Sequence, residues 1–482
     1  MNQYKIFAQR VGLIGITNLL ISLSGIIFLP ILTKNLSIEE YGMWNQLMVT
    51  VGIVPSVALL GLPYAMTRFL PALEKREEIQ EAFYSIFFVV TVASVAASLL
   101  IYIFSNGIAN KLFDSNILVV KTLIIILFFE CLNNLFFNYF RATQQIKKYS
   151  ILLSIQTLLN IVLVSFFVIT GRGIFGAFLG FMLKGAVIFL ITFLLIISEV
   201  GFKIPRFLNM KKSLRFSLPT IPGNLSSWIV DSSDRYVIGI LLGTAFVGLY
   251  SPGYTLGTMI NMFFAPLTFI LPSALSKYYD NGNFEEVRTI LSYATKYFIL
   301  IAIPSAFGLS MLSKPILMIL TTPEIATQGC LITPFTALSS LLFGVYGIIS
   351  NVYVLEKRTK IISKIWLLSS ILNLTLNFVF VPKMGILGAA VTTLIAFLFS
   401  FAVTWKYCSK SSMFDIKAEF IMKCVIASLL MSLIIIEMKP DGLYGIIITI
   451  GICAAFYAII MFLFKGFEEK ELDFFKSMIK NQ

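Results

Sequence analysis

The side chains in this sequence that could do chemistry are few, and most of them are charged groups set inside long apolar runs. Histidine is absent, and the five cysteines are scattered without a Cys-x-x-Cys pair. Zinc sites, histidine bases and Ser-His-Asp or Cys-His nucleophiles are therefore excluded or nearly so. What remains is the binding chemistry of isolated acids, cations and amides.

Five charged residues lie where the flanking sequence is apolar enough to span a bilayer: Glu130, Lys184, Asp231, Asp234 and Arg235. An ionisable group at mid-bilayer costs roughly 2.5–3.5 kcal/mol on insertion scales, so each one needs a physical reason. Asp231 and Arg235 stand four residues apart, share a helical face and can pair. Two interpretations stay open: a self-neutralised pair that fixes helix packing, or a polar face that lines a cavity.

Neutral amides and cations near the ends of the apolar runs extend this set. Asparagines recur in several runs, among them Asn45, Asn224 and Asn261. A set spread along the whole chain favours a water-filled chamber over helix-to-helix hydrogen bonds alone. Because the acids inside the runs outnumber the cations, an anionic ligand would need Arg68 or Arg141, which could instead snorkel to the membrane surface.

These side chains must be positioned by membrane helices. The chain is 58% hydrophobic and 13% charged, with a mean hydropathy of +0.90. Its apolar runs are as long as a bilayer requires of a helix, and they lack the alternation of barrel strands. We predict fourteen spans, near residues 11–33, 43–67, 82–104, 118–140, 150–170, 174–198, 214–240, 250–275, 291–312, 327–353, 363–381, 385–407, 418–438 and 444–464. Pro219 and Pro222 predict a kink in the seventh span.

The lysines and arginines predict how these spans are oriented. Of the 37, 28 fall on the side of the N-terminus, seven in the opposite loops and two inside spans. By the positive-inside rule, both termini face the cytoplasm and the number of spans is even. We expect the N-terminal run to be a retained first span rather than a signal peptide. Since the cations sit in short loops rather than on one patch, no nucleic-acid partner is expected.

A short repeat divides the chain. Gly-Ile-x-Gly-Ala occurs at residues 173–177 and 385–389, each about a dozen residues after an asparagine (Asn160 and Asn373). The repeat predicts two duplicated six-span lobes, at residues 1–200 and 201–410, followed by two additional helices and a cytoplasmic tail at 411–482. Parallel repeats of this kind enclose a central cavity in transporters.

Three further segments carry a resemblance to a known family: LTKNLSIEEYGMWNQ at residues 32–46, YFRATQQIKKYS at 139–150 and DRYVIGILLGTAFVGLYSPGY at 234–254. With them the chain resembles the polysaccharide-transporter branch of the MATE/MOP superfamily, the Wzx-type flippases of O-antigen and other lipid-linked oligosaccharides. The resemblance implies an all-α integral membrane fold of fourteen helices, with two six-helix lobes, two C-terminal helices and an alternating-access cavity.

The resemblance also implies a function, without catalytic residues, metal or cofactor. The chain would move a polyprenyl-diphosphate-linked oligosaccharide from the cytoplasmic to the outer leaflet of the cell (inner) membrane, coupled to H⁺ or Na⁺. Expected partners are this lipid-linked oligosaccharide, membrane lipids and polysaccharide-assembly proteins, and the chain is expected to be a monomer. The predicted substrate-binding residues are Arg235, Lys184, Asn224, Arg68, Arg141, Asn45, Tyr254 and Asn261, and the predicted ion-coupling residues are Glu130, Asp231 and Asp234.

Two other functions stay open. A cation-coupled multidrug exporter of the MATE group typically has an acidic site in its first lobe, often on the first span. Here the first span carries no charge, although Glu130 could supply the acid. Lipid II flippases of the same superfamily have first-span arginines, which are also absent. A membrane enzyme acting on lipid-linked sugars would need a large external loop, which the short loops here do not provide.

Overall fold

The computed structural model describes residues 2–409, 418–467 and 471, and within them the chain is helical without a β-strand. The predicted tail beyond residue 471 and the predicted domain boundary at residues 410 and 411 lie outside this part of the chain. The first eleven helices are α1 (Asn2–Asn35), α2 (Ile38–Ala58), α3 (Leu62–Phe69), α4 (Arg76–Ile103), α5 (Ser105–Leu112), α6 (Ile117–Ala142), α7 (Ile146–Phe167), α8 (Gly173–Val200), α9 (Met210–Ser217), α10 (Ile221–Leu241) and α11 (Thr244–Thr258). The others are α12 (Asn261–Asp280), α13 (Phe284–Leu320), α14 (Pro323–Gly329), α15 (Thr333–Ile349), α16 (Asn351–Leu355), α17 (Thr359–Met384), α18 (Ile386–Cys408), α19 (Ala418–Met438) and α20 (Gly442–Leu463).

The prediction of an all-helical membrane protein is confirmed, and each of the fourteen predicted spans falls on a helix or a group of short helices. Over the described residues, ten stretches are long and apolar enough to cross a membrane, or up to twelve if two bent helix pairs are each one span. Helices α7 and α8 count as a single stretch there, and α10, with three charged residues, is not among the stretches. The number fourteen therefore stays a prediction.

The chain divides into two compact units. The first contains Met1–Ser251 and Trp366–Ala389, and the second contains Pro252–Ile365 and Ala390–Gln482. The boundaries of these units reflect which residues contact one another in the structure, whereas the boundaries of the predicted lobes come from the sequence repeat. The predicted division at residues 200 and 410 accordingly stays a prediction.

Aromatic packing holds the centre of the first unit. The rings of Phe87, Phe136, Phe189 and Phe193 lie nearly parallel, with neighbouring centroids 5.5–5.9 Å apart. These side chains belong to α4, α6 and α8, so one cluster of rings joins three helices. Since lipid tails are as apolar as the rings themselves, this stability comes from close packing rather than from removal of water.

The two copies of the Gly-Ile-x-Gly-Ala repeat have the same backbone geometry. Gly173 and Gly385 both have positive φ, +56° and +62°, at the point where the chain reverses into α8 and α18. A Cβ on Gly176 would lie 2.9 Å from a carbonyl oxygen at the end of α7, and a Cβ on Gly388 would lie 2.5 Å from one in α17. In both copies, glycine lets a helix start directly against the backbone of the helix before it.

The second unit is built around α13, a 37-residue helix that contacts α12, α14, α15, α19 and α20. Glycines on α15 make room for its neighbours: the Cβ positions of Gly344 and Gly347 are only 2.1 Å from the rings of Phe298 and Phe264. The Tyr457 hydroxyl donates to a backbone carbonyl of α13 at 3.0 Å. Small residues and one polar contact thus replace the hydrophobic effect that would drive such packing in water.

The second predicted span, at residues 43–67, is broken in its second half. Leu60 and Gly61 have φ of +51° and +65°, and the helical segments on either side are bent by 59°. The Ser217 hydroxyl donates to the Leu60 carbonyl oxygen at 2.8 Å, and the Thr220 hydroxyl donates to the Ser217 carbonyl oxygen at 2.6 Å. The Ser217 hydroxyl, at the start of the seventh span, therefore satisfies a backbone carbonyl that the break leaves without a helical partner, and the Thr220 hydroxyl satisfies the carbonyl of Ser217 itself.

We expect Gly61→Ala to destabilise the protein by about 1–3 kcal/mol. The new Cβ would lie 2.5 Å from the Ser217 carbonyl oxygen, on a residue with a φ of +65°. The matched control is Gly107→Ala on α5, where nothing lies within 4 Å of the new Cβ. The thermal unfolding midpoint of detergent-purified protein should fall for the first variant and hold or rise for the control. Equal midpoints would contradict a strained break.

Candidate functional site

A cavity of about 410 Å³ in the first unit is lined by seven polar residues that could meet a ligand. We call it the Arg141 cavity. Its lining residues are Val51, Gly52, Pro55, Ser56, Leu59, Gly61, Pro63, Tyr64, Thr67, Asn134, Asn138, Arg141 and Asn224. None of these described lining residues is acidic.

Three helical elements bring the polar lining together. On α6, Asn134, Asn138 and Arg141 are spaced four and three residues apart, which places them on one face. The break at Leu60 and Gly61 directs α3 so that Tyr64 and Thr67 line the same space. Asn224 comes from the first turn of α10, shortly after Ser217, whose hydroxyl bonds the break.

The hydrogen bonds of the cavity leave donor and acceptor capacity for a ligand. The Tyr64 hydroxyl donates to Asn224 Oδ1 at 3.2 Å, and Asn138 Nδ2 donates to the Asn134 backbone and side-chain oxygens at 2.8 and 3.0 Å. Arg141 is exposed, in the last turn of α6, where the helix dipole favours a cation. A guanidinium surrounded by amides and hydroxyls suits a ligand that combines phosphate oxygens with sugar hydroxyls.

The charged residues of α10 form a separate, more buried group. Asp234 is fully buried, and its Oδ1 accepts the Arg235 backbone N–H at 2.8 Å and lies 3.6 Å from Arg235 Nη1. Its Oδ2 accepts a hydrogen bond from the Tyr250 hydroxyl. Arg235 Nη1 also donates to the Asp231 carbonyl oxygen at 3.3 Å. The predicted pairing on this helical face therefore includes Asp234 and a tyrosine that the sequence analysis did not weigh.

Helix α2 lies against this charged group. Gln46 Nε2 donates to the Arg235 carbonyl oxygen at 2.8 Å, and the hydroxyls of Thr50 and Tyr236 share a hydrogen bond of 2.7 Å. Gly239 allows the approach, because a Cβ there would lie 2.1 Å from Gln46 Nε2. Two predicted spans that are distant in sequence are thus joined by buried polar contacts.

Near its start, α2 also lies directly against the start of α11, at a contact that we call the α2–α11 seal. A Cβ on Gly42 would lie 1.9 Å from the Thr244 carbonyl oxygen, and one on Gly248 would lie 2.3 Å from the Ile38 carbonyl oxygen. The Thr244 hydroxyl is hydrogen-bonded to the Asp114 carboxylate. The backbones of α2 and α11 are in direct contact here, so a side chain at Gly42 or Gly248 would not fit while the contact is closed.

Glu130 and Lys184 pair with each other, which the sequence analysis did not predict. Lys184 Nζ lies 2.6 Å from Glu130 Oε1, with both side chains mostly buried between α6 and α8. The ammonium also sits over the Phe181 ring, 3.5 Å from its centroid. Their predicted roles, in substrate binding and ion coupling, stay predictions for two groups that neutralise each other in this conformation.

The remaining predicted residues are dispersed. Arg68 is exposed and does not line the Arg141 cavity, and Asn45 donates to the Tyr41 carbonyl oxygen of its own helix at 2.8 Å. Tyr254 is buried in the second unit, where Asn261 Oδ1 is buried without a hydrogen-bond partner. None of these four residues lines the Arg141 cavity.

Some residues of the Arg141 cavity were not predicted from the sequence, among them Tyr64, Thr67 and Asn138. Asn138 could have been found, since Asn134, Asn138 and Arg141 recur at helical spacing in the fourth predicted span. Tyr64 and Thr67 gave no such signal, because their position depends on the break at Leu60 and Gly61.

Comparison with known proteins supports this arrangement of helices. The chain is 22% identical over 286 residues to a probable low-salt glycan biosynthesis flippase, Agl15, of Haloferax volcanii, over 58% of this chain and 60% of that protein. Its fold is similar to a solved lipid II flippase MurJ in an inward closed conformation, with a TM-score of 0.77, 21% identity and coverage of 93% of this chain and 98% of that one. It is also similar to an inward-facing multidrug resistance MATE family transporter of the MOP superfamily, with a TM-score of 0.67, 17% identity and coverage of 81% and 95%.

Two family models match the chain directly. The MatE model matches residues 219–379. The model described as polysaccharide biosynthesis protein matches residues 7–275, which include every residue of the Arg141 cavity and of the α10 charged group. That match covers more than half of the sequence, and the chain therefore belongs to the polysaccharide biosynthesis protein family.

Proposed function

We propose that this protein is a flippase that moves a polyprenyl-diphosphate-linked oligosaccharide from the cytoplasmic to the outer leaflet of the cell membrane. The observation that carries the proposal is the Arg141 cavity, whose described lining combines one guanidinium with amides and hydroxyls and has no acid. The relative from Haloferax volcanii, named as a glycan biosynthesis flippase, supports the same cargo class.

In this proposal, the charged head of the lipid enters the Arg141 cavity while the polyprenyl tail stays in the bilayer. Arg141 offers its guanidinium to the diphosphate oxygens, and Asn134, Asn138, Asn224 and Tyr64 meet sugar hydroxyls. A diphosphate carries about two negative charges. Outward movement of these negative charges across a membrane potential of about 100 mV, negative inside, is then favoured by roughly 2.3 kcal/mol per charge.

The proposed architecture has fourteen spans with both termini in the cytoplasm. Among the described residues, ten stretches are long and apolar enough to span a membrane, and counting each of the two bent helix pairs as one span raises the number to twelve. Helices α7 and α8 pack along each other, so they are two antiparallel spans rather than one. Helix α10, polar but 21 residues long, is the fourteenth. We retain two six-helix lobes, at residues 1–200 and 201–410, as the moving parts.

The α2–α11 seal is proposed as the contact that closes the outer side. The orientation from the lysines and arginines puts this end of α2 outside, whereas Arg141 lies at the cytoplasmic end of α6. Opening the cavity outward requires the glycine-mediated contact of Gly42 and Gly248 to separate. The charged group of α10, in which Asp234 and Arg235 are buried and Asp231 is exposed, contacts α2 through Gln46 and α11 through Tyr250. This group is proposed to couple H⁺ or Na⁺ to that movement.

The multidrug exporter alternative depends on an acid that a cation can reach. Glu130 is the candidate, and in this conformation its carboxylate already holds the Lys184 ammonium. A cation substrate would have to displace a buried, hydrogen-bonded partner. We therefore favour the anionic, lipid-linked cargo.

Replacing Arg141 by alanine should reduce delivery of lipid-linked sugar in a flippase-deficient cell by about tenfold or more, since a charge-assisted hydrogen bond contributes roughly 1.5–3 kcal/mol. Arg141→Lys keeps the charge without the planar fork and should retain part of the activity. The control is Lys147→Ala, which removes an exposed cation in the first turn of α7 that does not line the cavity. Undiminished delivery by Arg141→Ala at normal expression would contradict the proposed site.

Replacing Lys184 by methionine should lower the thermal unfolding midpoint strongly, because an unpaired buried carboxylate costs about 3–5 kcal/mol. The double variant Glu130→Gln with Lys184→Met removes both charges and should recover most of the stability and deliver sugar. Normal folding of the double variant with no delivery would contradict a structural role and favour ion coupling through Glu130.

A further inference from the structure

The segment that connects α8 to α10 has a composition unlike the spans around it. We call residues 201–218 the strap; it contains an extended stretch at its start and then α9. The strap lies outside every stretch that is long and apolar enough to cross a membrane. The exposed side chains of residues 201–213, which precede the predicted seventh span, therefore cannot be explained as the lipid-facing surface of a spanning helix.

Positive charge dominates the strap. It contains Lys203, Arg206, Lys211, Lys212 and Arg215 and no acidic residue. The three cations of α9 have no ion-pair partner among the described residues, and Lys211, Lys212 and Arg215 are all exposed. Lys203, Arg206 and also Lys212 of α9 face a cavity of about 630 Å³ that Glu77, Glu78 and Glu81 of α4 line. An external anion would thus meet chiefly Lys211 and Arg215, which do not line that cavity.

Large apolar side chains project beside these cations. Phe202, Ile204 and Leu208 are 74%, 77% and 72% exposed. Phe216 and Leu218 are also exposed, at the end of α9 and just after it. An alternation of exposed cations with exposed aromatic and aliphatic side chains is typical of a segment that lies in the membrane interface.

Hydrogen bonds hold the backbone of the strap near both of its ends. The Tyr84 hydroxyl donates to the Gly201 carbonyl oxygen at 2.7 Å, and the Arg206 N–H donates to Glu81 Oε1 at 2.8 Å. At the other end, Ser217 donates to Leu60 at 2.8 Å. The exposed apolar residues therefore belong to a segment whose backbone is fixed at both ends.

We propose that the strap is a docking site for anionic phospholipid headgroups at the membrane surface. Phe202, Ile204 and Leu208 enter the interfacial region, while Lys211, Lys212 and Arg215 contact headgroup phosphates. The charge is complementary to a leaflet that contains phosphatidylglycerol, and each basic residue near such a surface strengthens binding. This site is separate from the Arg141 cavity and does not depend on the proposed transport function.

Spin-labelled phosphatidylglycerol and phosphatidylcholine test the site in vesicles that contain the full-length protein. Electron paramagnetic resonance measures the motionally restricted fraction of each lipid. We expect the preference for phosphatidylglycerol to fall at least about twofold in the triple variant Lys211→Gln, Lys212→Gln and Arg215→Gln. The matched control Lys357→Gln, Lys360→Gln and Lys364→Gln removes three exposed cations outside the strap and should keep the preference of the unaltered protein.

An unchanged preference in the strap variant, or an equal fall in the control, would overturn the proposal. A changed oligomeric state with an unchanged lipid preference would overturn it too, and would indicate that a second copy of the chain docks on the strap. If the triple variant does not fold, Lys211→Gln alone should still lower the preference measurably. A normal preference in that folded single variant counts against the site.

Discussion

The break of the second span at Leu60 and Gly61 is the constraint on which the candidate site depends. A helix interrupted inside a bilayer must find other partners for its backbone groups, because lipid offers none. Here the Ser217 hydroxyl supplies one, from the start of the seventh span. That contact fixes the direction of α3, which brings Tyr64 into the Arg141 cavity, and it also fixes one end of the strap. The shape of the Arg141 cavity and the position of one end of the strap therefore both depend on the hydrogen bond at this break.

Charge is arranged differently inside and at the edge of the apolar helices. Glu130 pairs with Lys184, and Asp234 pairs with Arg235, so buried ionisable groups neutralise one another. Arg141, by contrast, is exposed at a helix end and faces only neutral polar groups across its cavity. Separation of this kind leaves an accessible cation for an anionic head without the cost of an unpaired charge in the membrane.

Much of the fold could be predicted from the sequence, because the length of an apolar run directly reports whether a helix can span lipid. The glycine repeat could also be recognised in the sequence, and its first glycines, Gly173 and Gly385, both have positive φ in the structure. The residues of the candidate functional site could be predicted only in part. Arg141 and Asn224 carried a signal, whereas the Lys184–Glu130 pair joins residues 54 positions apart and depends on how α6 packs on α8. Helical periodicity describes one helix and does not specify its neighbour.

Translocation by the purified protein tests the central claim most directly. Liposomes would contain a fluorescent polyprenyl-diphosphate sugar, and a membrane-impermeant quencher would report how much of it reaches the outer leaflet over time. We predict that the protein moves the labelled lipid between leaflets faster than protein-free liposomes do, and that the lipid is recovered with an unchanged mass. Movement no faster than in protein-free liposomes, or only with a covalently altered lipid, would contradict the account.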